Sequence, residues 1–305
     1  MMITSITRRR FSHTIACGVA WPHCGASGAE ATSALPDSLA NEIGVTTSSL
    51  SGHLVAKPVG GQFSLLDLPR VMRDELDVRI IDLNTSSLAS MDGRYLDQCR
   101  TAAEKAGCVF TNLKMNQRNV DMNSKDKAVR RNAMNIYKAS IDAASRLGCR
   151  WVRPLPTASR PNMQLHVASY QELAEYGAGR GIRMLVENYG WMESDPSSVV
   201  KLTVAIGHQA AACPDTGNWN NNTTRYTGLA KTFPTAVTCD FKARVLSPEG
   251  EHKQYDLRRC FDIGWRAGFR GPWCLEHGNR DRSKLFQELT TLRDMLREWT
   301  SVSSK

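Results

Sequence analysis

From residue 43 onward, short runs of apolar and β-branched residues alternate with longer stretches whose apolar positions recur at helical spacing. The pattern predicts strands over 43–50, 78–83, 108–114, 149–155, 182–187, 209–215, 235–242 and 272–276. Each is followed by a predicted helix, over 64–76, 95–106, 126–147, 165–178, 197–206, 223–232, 257–267 and 281–299. Gly107 and Gly148 stand where two of these helices should stop. The strands are apolar on both faces, as they must be in a parallel sheet wrapped by helices. Eight such units in one chain predict an α/β fold, a single-domain (β/α)8 TIM barrel over 43–300 with a tail at 301–305. An open doubly wound sheet would carry a glycine-rich phosphate loop after its first strand, and Gly60-Gly61 is not one. Residues 32–42 show no clear element and are read as a leader to the barrel.

Composition narrows the class without changing this picture. The 305 residues are 41% hydrophobic and 23% charged, too apolar for wholesale disorder, and 22 glycines with 12 prolines exclude a collagenous chain. No apolar run reaches membrane-spanning length, so no membrane span is expected. The net charge of +9 is the unusual number, and it admits nucleic acid, an anionic surface or an acidic substrate as partners.

Part of that charge belongs to an address. Residues 1–31 combine Arg8, Arg9 and Arg10, a weakly apolar stretch from Thr14 to Trp21 and small residues up to Ala31. The string Thr7-Arg8-Arg9-Arg10-Phe11 resembles a twin-arginine signal, and Ala29-Glu30-Ala31 has the small-x-small form of a cleavage site. The resemblance implies the twin-arginine export machinery as a partner and a periplasmic or secreted location. Because that route carries folded proteins, it also makes a cofactor inserted before export worth seeking. Removal of the leader takes Cys17 and Cys24, leaving seven of nine cysteines, an odd number with no CxxC pair, read as buried thiols.

The last residues of the strands carry the chemistry, since barrel enzymes place their sites at the C-terminal strand ends. Glu187, Asp215, Asp240 and Glu276 come from the fifth to eighth strands, one carboxylate each. Four like charges on one rim need a cation among them, and a divalent metal supplies one.

The motifs Val186-Glu187-Asn188, Pro214-Asp215-Thr216-Gly217-Asn218 and Leu275-Glu276 resemble those of the xylose isomerase-like superfamily of sugar isomerases and epimerases, which also includes endonuclease IV. The resemblance implies Glu187, Asp215, Asp240 and Glu276 as metal ligands, with Glu187 and Glu276 also acting as acid and base. Asp240 of Asp240-Phe241-Lys242 falls where the family has a ligand histidine, and Asn218 where related ketose epimerases carry a substrate-contacting histidine. An all-oxygen donor set favours Mn²⁺ first, then Mg²⁺ or another hard ion. Lys242, Arg244, Arg153, His277 and Asn218 are candidate contacts to substrate oxygens, and Trp219 and Trp191 candidate sugar-packing faces, with salt bridges and loop packing as their alternative uses.

The implied activity is proton abstraction next to a carbonyl of a free sugar or sugar derivative, a small-molecule carbohydrate. A lyase or hydratase on keto-sugars begins with the same step, and an inactive carbohydrate-binding barrel is the reading outside enzymes. A nuclease would need a cluster of histidine ligands, and only His277 adjoins a motif acid. Arg8, Arg9 and Arg10 less Glu30 take +2 of the +9 away with the leader, leaving +7 around an acidic mouth, so no nucleic-acid partner is expected.

Overall fold

A computed structural model describes residues 37–303, apart from 118, 158, 248 and 249. The predicted signal peptide lies outside the described residues. Eight parallel strands form one sheet: β1 Ile43–Thr46, β2 Ile80–Asn84, β3 Val109–Met115, β4 Trp151–Pro154, β5 Arg183–Val186, β6 Ala210–Ala212, β7 Cys239–Lys242 and β8 Trp273–Glu276. Their order is β6-β5-β4-β3-β2-β1-β8-β7. The ends meet through single bridges, Ala212 with Ala236 and Asp215 with Asp240. Backbone bonds from Val237 N to Ala212 O at 3.1 Å and from Asp240 N to Pro214 O at 2.9 Å complete the closure. The expected TIM barrel is thus the observed fold, though Pro214, which has no N–H to donate, leaves β6 short.

The helices are α1 Leu68–Leu76, α2 Gly93–Lys105, α3 Lys127–Leu147, α4 Met163–Ala178, α5 Ser198–Ile206, α6 Asn222–Thr232, α7 Leu257–Arg266 and α8 Arg282–Ser303. Local chemistry sets their starts: the side chains of Asp92, Asp126, Asn162, Asn221 and Asp256 accept from the first free amides of α2, α3, α4, α6 and α7. Gly148, at φ 82°, ends α3 in the left-handed conformation that glycine adopts without strain. The predicted first strand over 43–50 is shorter than expected, because Thr47–Leu50 turns into a 3₁₀ helix.

Strand alternation divides the apolar residues into two layers. Outward-facing Val45, Ile81, Leu83, Val152, Met184, Phe241 and Leu275 pack under the helices. Inward-facing Ile80, Trp151, Leu185, Ala211, Cys213 and Cys274 form a separate plug with Leu39. Leu39 comes from the 3₁₀ turn Asp37–Leu39, so part of the 32–42 segment packs as an element of the barrel. Gly44 leaves room for Ile80, whose Cγ2 would lie 2.8 Å from any Cβ placed at that position. One step further along the same inward face, apolar gives way to charge: Asp82 follows Ile80, Arg153 follows Trp151, Glu187 follows Leu185, Asp215 follows Cys213 and Glu276 follows Cys274.

β3 breaks the alternation. Its register with β2 pairs Ile81 with Phe110 but Asp82 with Asn112, so Thr111 is an extra residue. Phe110 joins the outer layer, and without the bulge Lys114, four residues on, would share its face. The bulge turns Lys114 into the barrel instead.

Candidate metal centre

The charged layer above the plug is built from nearly every strand. Glu187, Asp215 and Asp240 are buried and each offers a carboxylate oxygen, all within 4.8 Å of one another. Oxygens on one Mg²⁺ or Mn²⁺ at about 2.1 Å must lie roughly 3 to 4.2 Å apart, so this buried triad could bind a divalent metal. Asp240 Oδ2 is buried without a hydrogen-bond donor, and Glu187 Oε2 has only an ion-pair partner. Arg153 Nε lies 2.6 Å from that Glu187 oxygen as an ion pair, but its N–H is not aimed at it.

Glu276 sits at the wetter edge, its side chain 21% exposed, with Oε1 2.8 Å from Lys242 Nζ. Lys242 also reaches Asp215 Oδ2 at 2.8 Å and Asn218 Oδ1 at 2.9 Å. Asp215 Oδ1 accepts from the Gly217 and Asn218 amides at 2.6 and 3.0 Å, which fixes the carboxylate. Asn218 donates to Glu187 Oε1 at 3.1 Å, linking the acids of the fifth and sixth units. Asn188 clasps the same loop: its side chain accepts from Asp215 N at 2.8 Å and donates to the Asp215 and Asn218 carbonyls at 2.9 Å.

The remaining candidates are placed as follows. Arg153 Nη1 donates to Asn116 Oδ1 at 2.7 Å, so its guanidinium spans Asn116 and Glu187. Arg244 is exposed beyond β7, with Nη2 3.5 Å from Asn218 Oδ1. Both ring nitrogens of His277 are committed, Nδ1 to the Ala243 carbonyl and Nε2 to Glu288, each at 2.7 Å. Trp219 is buried, and a Cβ at Gly228 of α6 would run into its ring, so the indole packs on that helix. Trp191 packs edge-on to His166, with ring centroids 6.0 Å apart.

Sequence reading passed over two members of the layer. Lys114 is buried with Nζ 2.6 Å from Asp240 Oδ1 and 3.0 Å from Thr46 Oγ1. Asp82, also buried, accepts from Thr111 Oγ1 and, at 3.4 Å, from Asn112. The repulsion expected among the acids is therefore met in part by the chain's own cations. Lys114, Arg153 and Lys242 face Asp82, Glu187, Asp215, Asp240 and Glu276, leaving two negative charges uncompensated when all are ionised. One divalent ion carries that complement.

Burial dominates the electrostatics. It pushes Glu187 up to about 7 against the pull of Arg153, and raises Asp240 against Lys114 and Asp215 against Lys242. Glu276, despite the upward push of its burial, is held below the usual carboxylate range by Lys242 and Lys114.

A parallel barrel closed on itself, with an acidic layer at its C-terminal mouth, defines the class of this molecule. The chain belongs to the Xylose isomerase-like TIM barrel family, which matches residues 75–299. No curated protein matches the chain in sequence. Among solved structures it is similar to a xylose isomerase domain protein from Planctomyces limnophilus, at 15% identity and TM-score 0.63, covering 86% of this chain and 97% of that one. A xylose isomerase-like TIM barrel protein from Mycobacterium smegmatis, in complex with magnesium, is 18% identical with TM-score 0.58, covering 83% and 97%. D-psicose 3-epimerase from Clostridium cellulolyticum H10, with D-tagatose, is 11% identical with TM-score 0.66, covering 84% and 98%.

Proposed function

We propose that the chain is a divalent-metal-dependent sugar isomerase or epimerase, exported by the twin-arginine route and acting on a free sugar or sugar derivative. The observation that carries the reading is the buried group of Glu187, Asp215 and Asp240 at the strand ends, with Asp240 Oδ2 lacking a partner. Membership of the family and likeness to an epimerase fold support it. Export is supported by the Arg8-Arg9-Arg10 motif, and folding in a reducing compartment by the free, buried state of the seven described cysteines.

Glu187, Asp215, Asp240 and Glu276 would hold the ion, Mn²⁺ or Mg²⁺ given the all-oxygen donors. When bound, the ion supplies Lewis-acid polarisation of a substrate carbonyl, which acidifies the neighbouring C–H. Glu276, held ionised by Lys242, can take that proton as a general base. Glu187, whose pKa burial raises in the ion-free protein, is its counterpart, able to carry a proton and return it to carbon. Arg153 keeps Glu187 in place, Lys242 holds Asp215, Glu276 and Asn218 together, and Asn218 and Arg244 are the side chains nearest the mouth that could meet sugar hydroxyls. His277, with both nitrogens occupied, shapes the loop after β8.

The test is incubation of the purified protein, with Mn²⁺ or Mg²⁺, with a panel of ketoses and keto-glycosides in D₂O, followed by NMR. Deuterium should enter the carbon next to the carbonyl, and Glu187→Gln or Glu276→Gln should slow its entry at least about a hundredfold. Exchange that both variants leave untouched would refute the assignment. Loss of a leaving group in place of epimerisation would move the activity to the lyases.

A further inference from the structure

Lys114 is 1% exposed and lies at the centre of the acidic layer rather than at its rim. Its ammonium contacts Asp240 Oδ1 at 2.6 Å, Thr46 Oγ1 at 3.0 Å and, more distantly, Glu276 Oε2 at 3.9 Å. A lysine is costly to bury, and here a strand bulge brings it in. Asp240 divides its carboxylate between two directions: Oδ1 is spent on Lys114, while Oδ2 is buried with no donor.

We propose that Lys114 is the resident counter-cation of this centre. It neutralises Asp240 in the ion-free protein through Oδ1 and leaves Oδ2 for an ion. The proposal rests on reading the acidic cluster as a metal centre. Loss of a single partner from a buried ion pair strands the other charge, whereas replacing both by neutral groups of similar shape costs far less. When all five acids are ionised, the layer has two negative charges in excess with Lys114 and three without it. The acids of the ion-free barrel would then repel more strongly, and a divalent ion would have more to neutralise.

The experiment is thermal melting of the wild type, Lys114→Met, Asp240→Asn and the double variant, in EDTA and with excess MnCl₂. In EDTA each single variant should melt about 10 °C below the wild type, and the double variant should regain at least half of that loss. Mn²⁺ should raise the melting temperature of Lys114→Met by more than that of the wild type, since the added charge binds only the folded state. It should raise the double variant by less than the wild type, because a ligand is gone. Losses in EDTA that simply add in the double variant would overturn the pairing. Should Lys114→Met fail to accumulate as soluble protein, a soluble double variant supports the pairing and an insoluble one refutes it. If Mn²⁺ shifts none of the four, the metal reading falls, while the EDTA comparison still decides the charge pairing.

Discussion

Lys242 spends its ammonium on Asp215, Glu276 and Asn218, three acceptors from two other units of the barrel. Only 13% of its side chain is exposed, so these contacts are weakly screened by solvent, and its pKa is pushed up, burial opposing and Asp215 and Glu276 favouring the charged form. Lys242→Met would leave Asp215 Oδ2 and Glu276 Oε1 without their cation. The expected cost in EDTA is about 3 kcal/mol of unfolding free energy, read from urea melts, and Lys242→Arg should recover part of it. Arg153 is tied differently: it pairs with one acid, Glu187, and its other contact is the neutral Asn116. Its removal should therefore act on Glu187 first and on the barrel second. The carboxylate at position 240, where the resemblance implies histidine, also acquires a residue-scale reason, since Lys114 cancels the charge that a ring would not carry.

At the scale of elements, the carboxylates were legible wherever alternation runs unbroken from the apolar plug to the strand end. Leu185 to Glu187 and Cys274 to Glu276 are such cases, and the order of residue types along the chain is enough to place both acids on the inner face. Lys114 was not legible, because counting by twos from Phe110 puts it under the helices, and only the extra residue Thr111 reverses that. The bulge has no glycine to mark it. Trp219 was misleading for a similar reason: its place after a motif acid suggests the mouth, but the small Gly228 on α6 opens a slot that takes the ring away from it. Another element-scale consequence lies in α4. His166 is buried, bonded through Nδ1 to Asn123, with Nε2 unpartnered, and burial lowers its pKa to about 4. The folded protein thus prefers the neutral ring, and stability present above pH 6.5 is lost as pH falls toward 4, where the unfolded chain binds the proton more readily. The contribution is about 3 kcal/mol. Urea melts of the wild type and His166→Gln between pH 4 and 7 should show a shallower fall for the variant, and parallel curves would rule the histidine out as the cause.

For the molecule as a whole, the acidic layer and the proposed N-terminal address pose the same problem from two sides. A barrel whose mouth gathers five carboxylates around three cations is assembled from strands far apart in sequence, so the site exists only after the chain has closed. Closure is itself made at the site, because the bridge from Asp215 to Asp240 joins the two ends of the sheet. A route that exports folded protein would allow the ion to be chosen before the chain leaves the cytoplasm, and would keep the buried thiols of Cys99, Cys108, Cys149, Cys213, Cys239, Cys260 and Cys274 reduced while they pack. The Arg8-Arg9-Arg10 run is the part of the sequence on which that route would depend. Arg8→Lys with Arg9→Lys and Arg10→Lys leaves the charge of the leader unchanged and removes only the guanidinium groups. If the twin-arginine reading holds, the triple variant should accumulate in the cytoplasm at full length, while the wild type appears in the periplasm with an N-terminus near residue 32. Equal export of the two would show that positive charge alone is read, and would move the leader to the general secretory class. The metal content of the two pools then becomes informative, since protein held in the cytoplasm should already carry its divalent ion if loading precedes export.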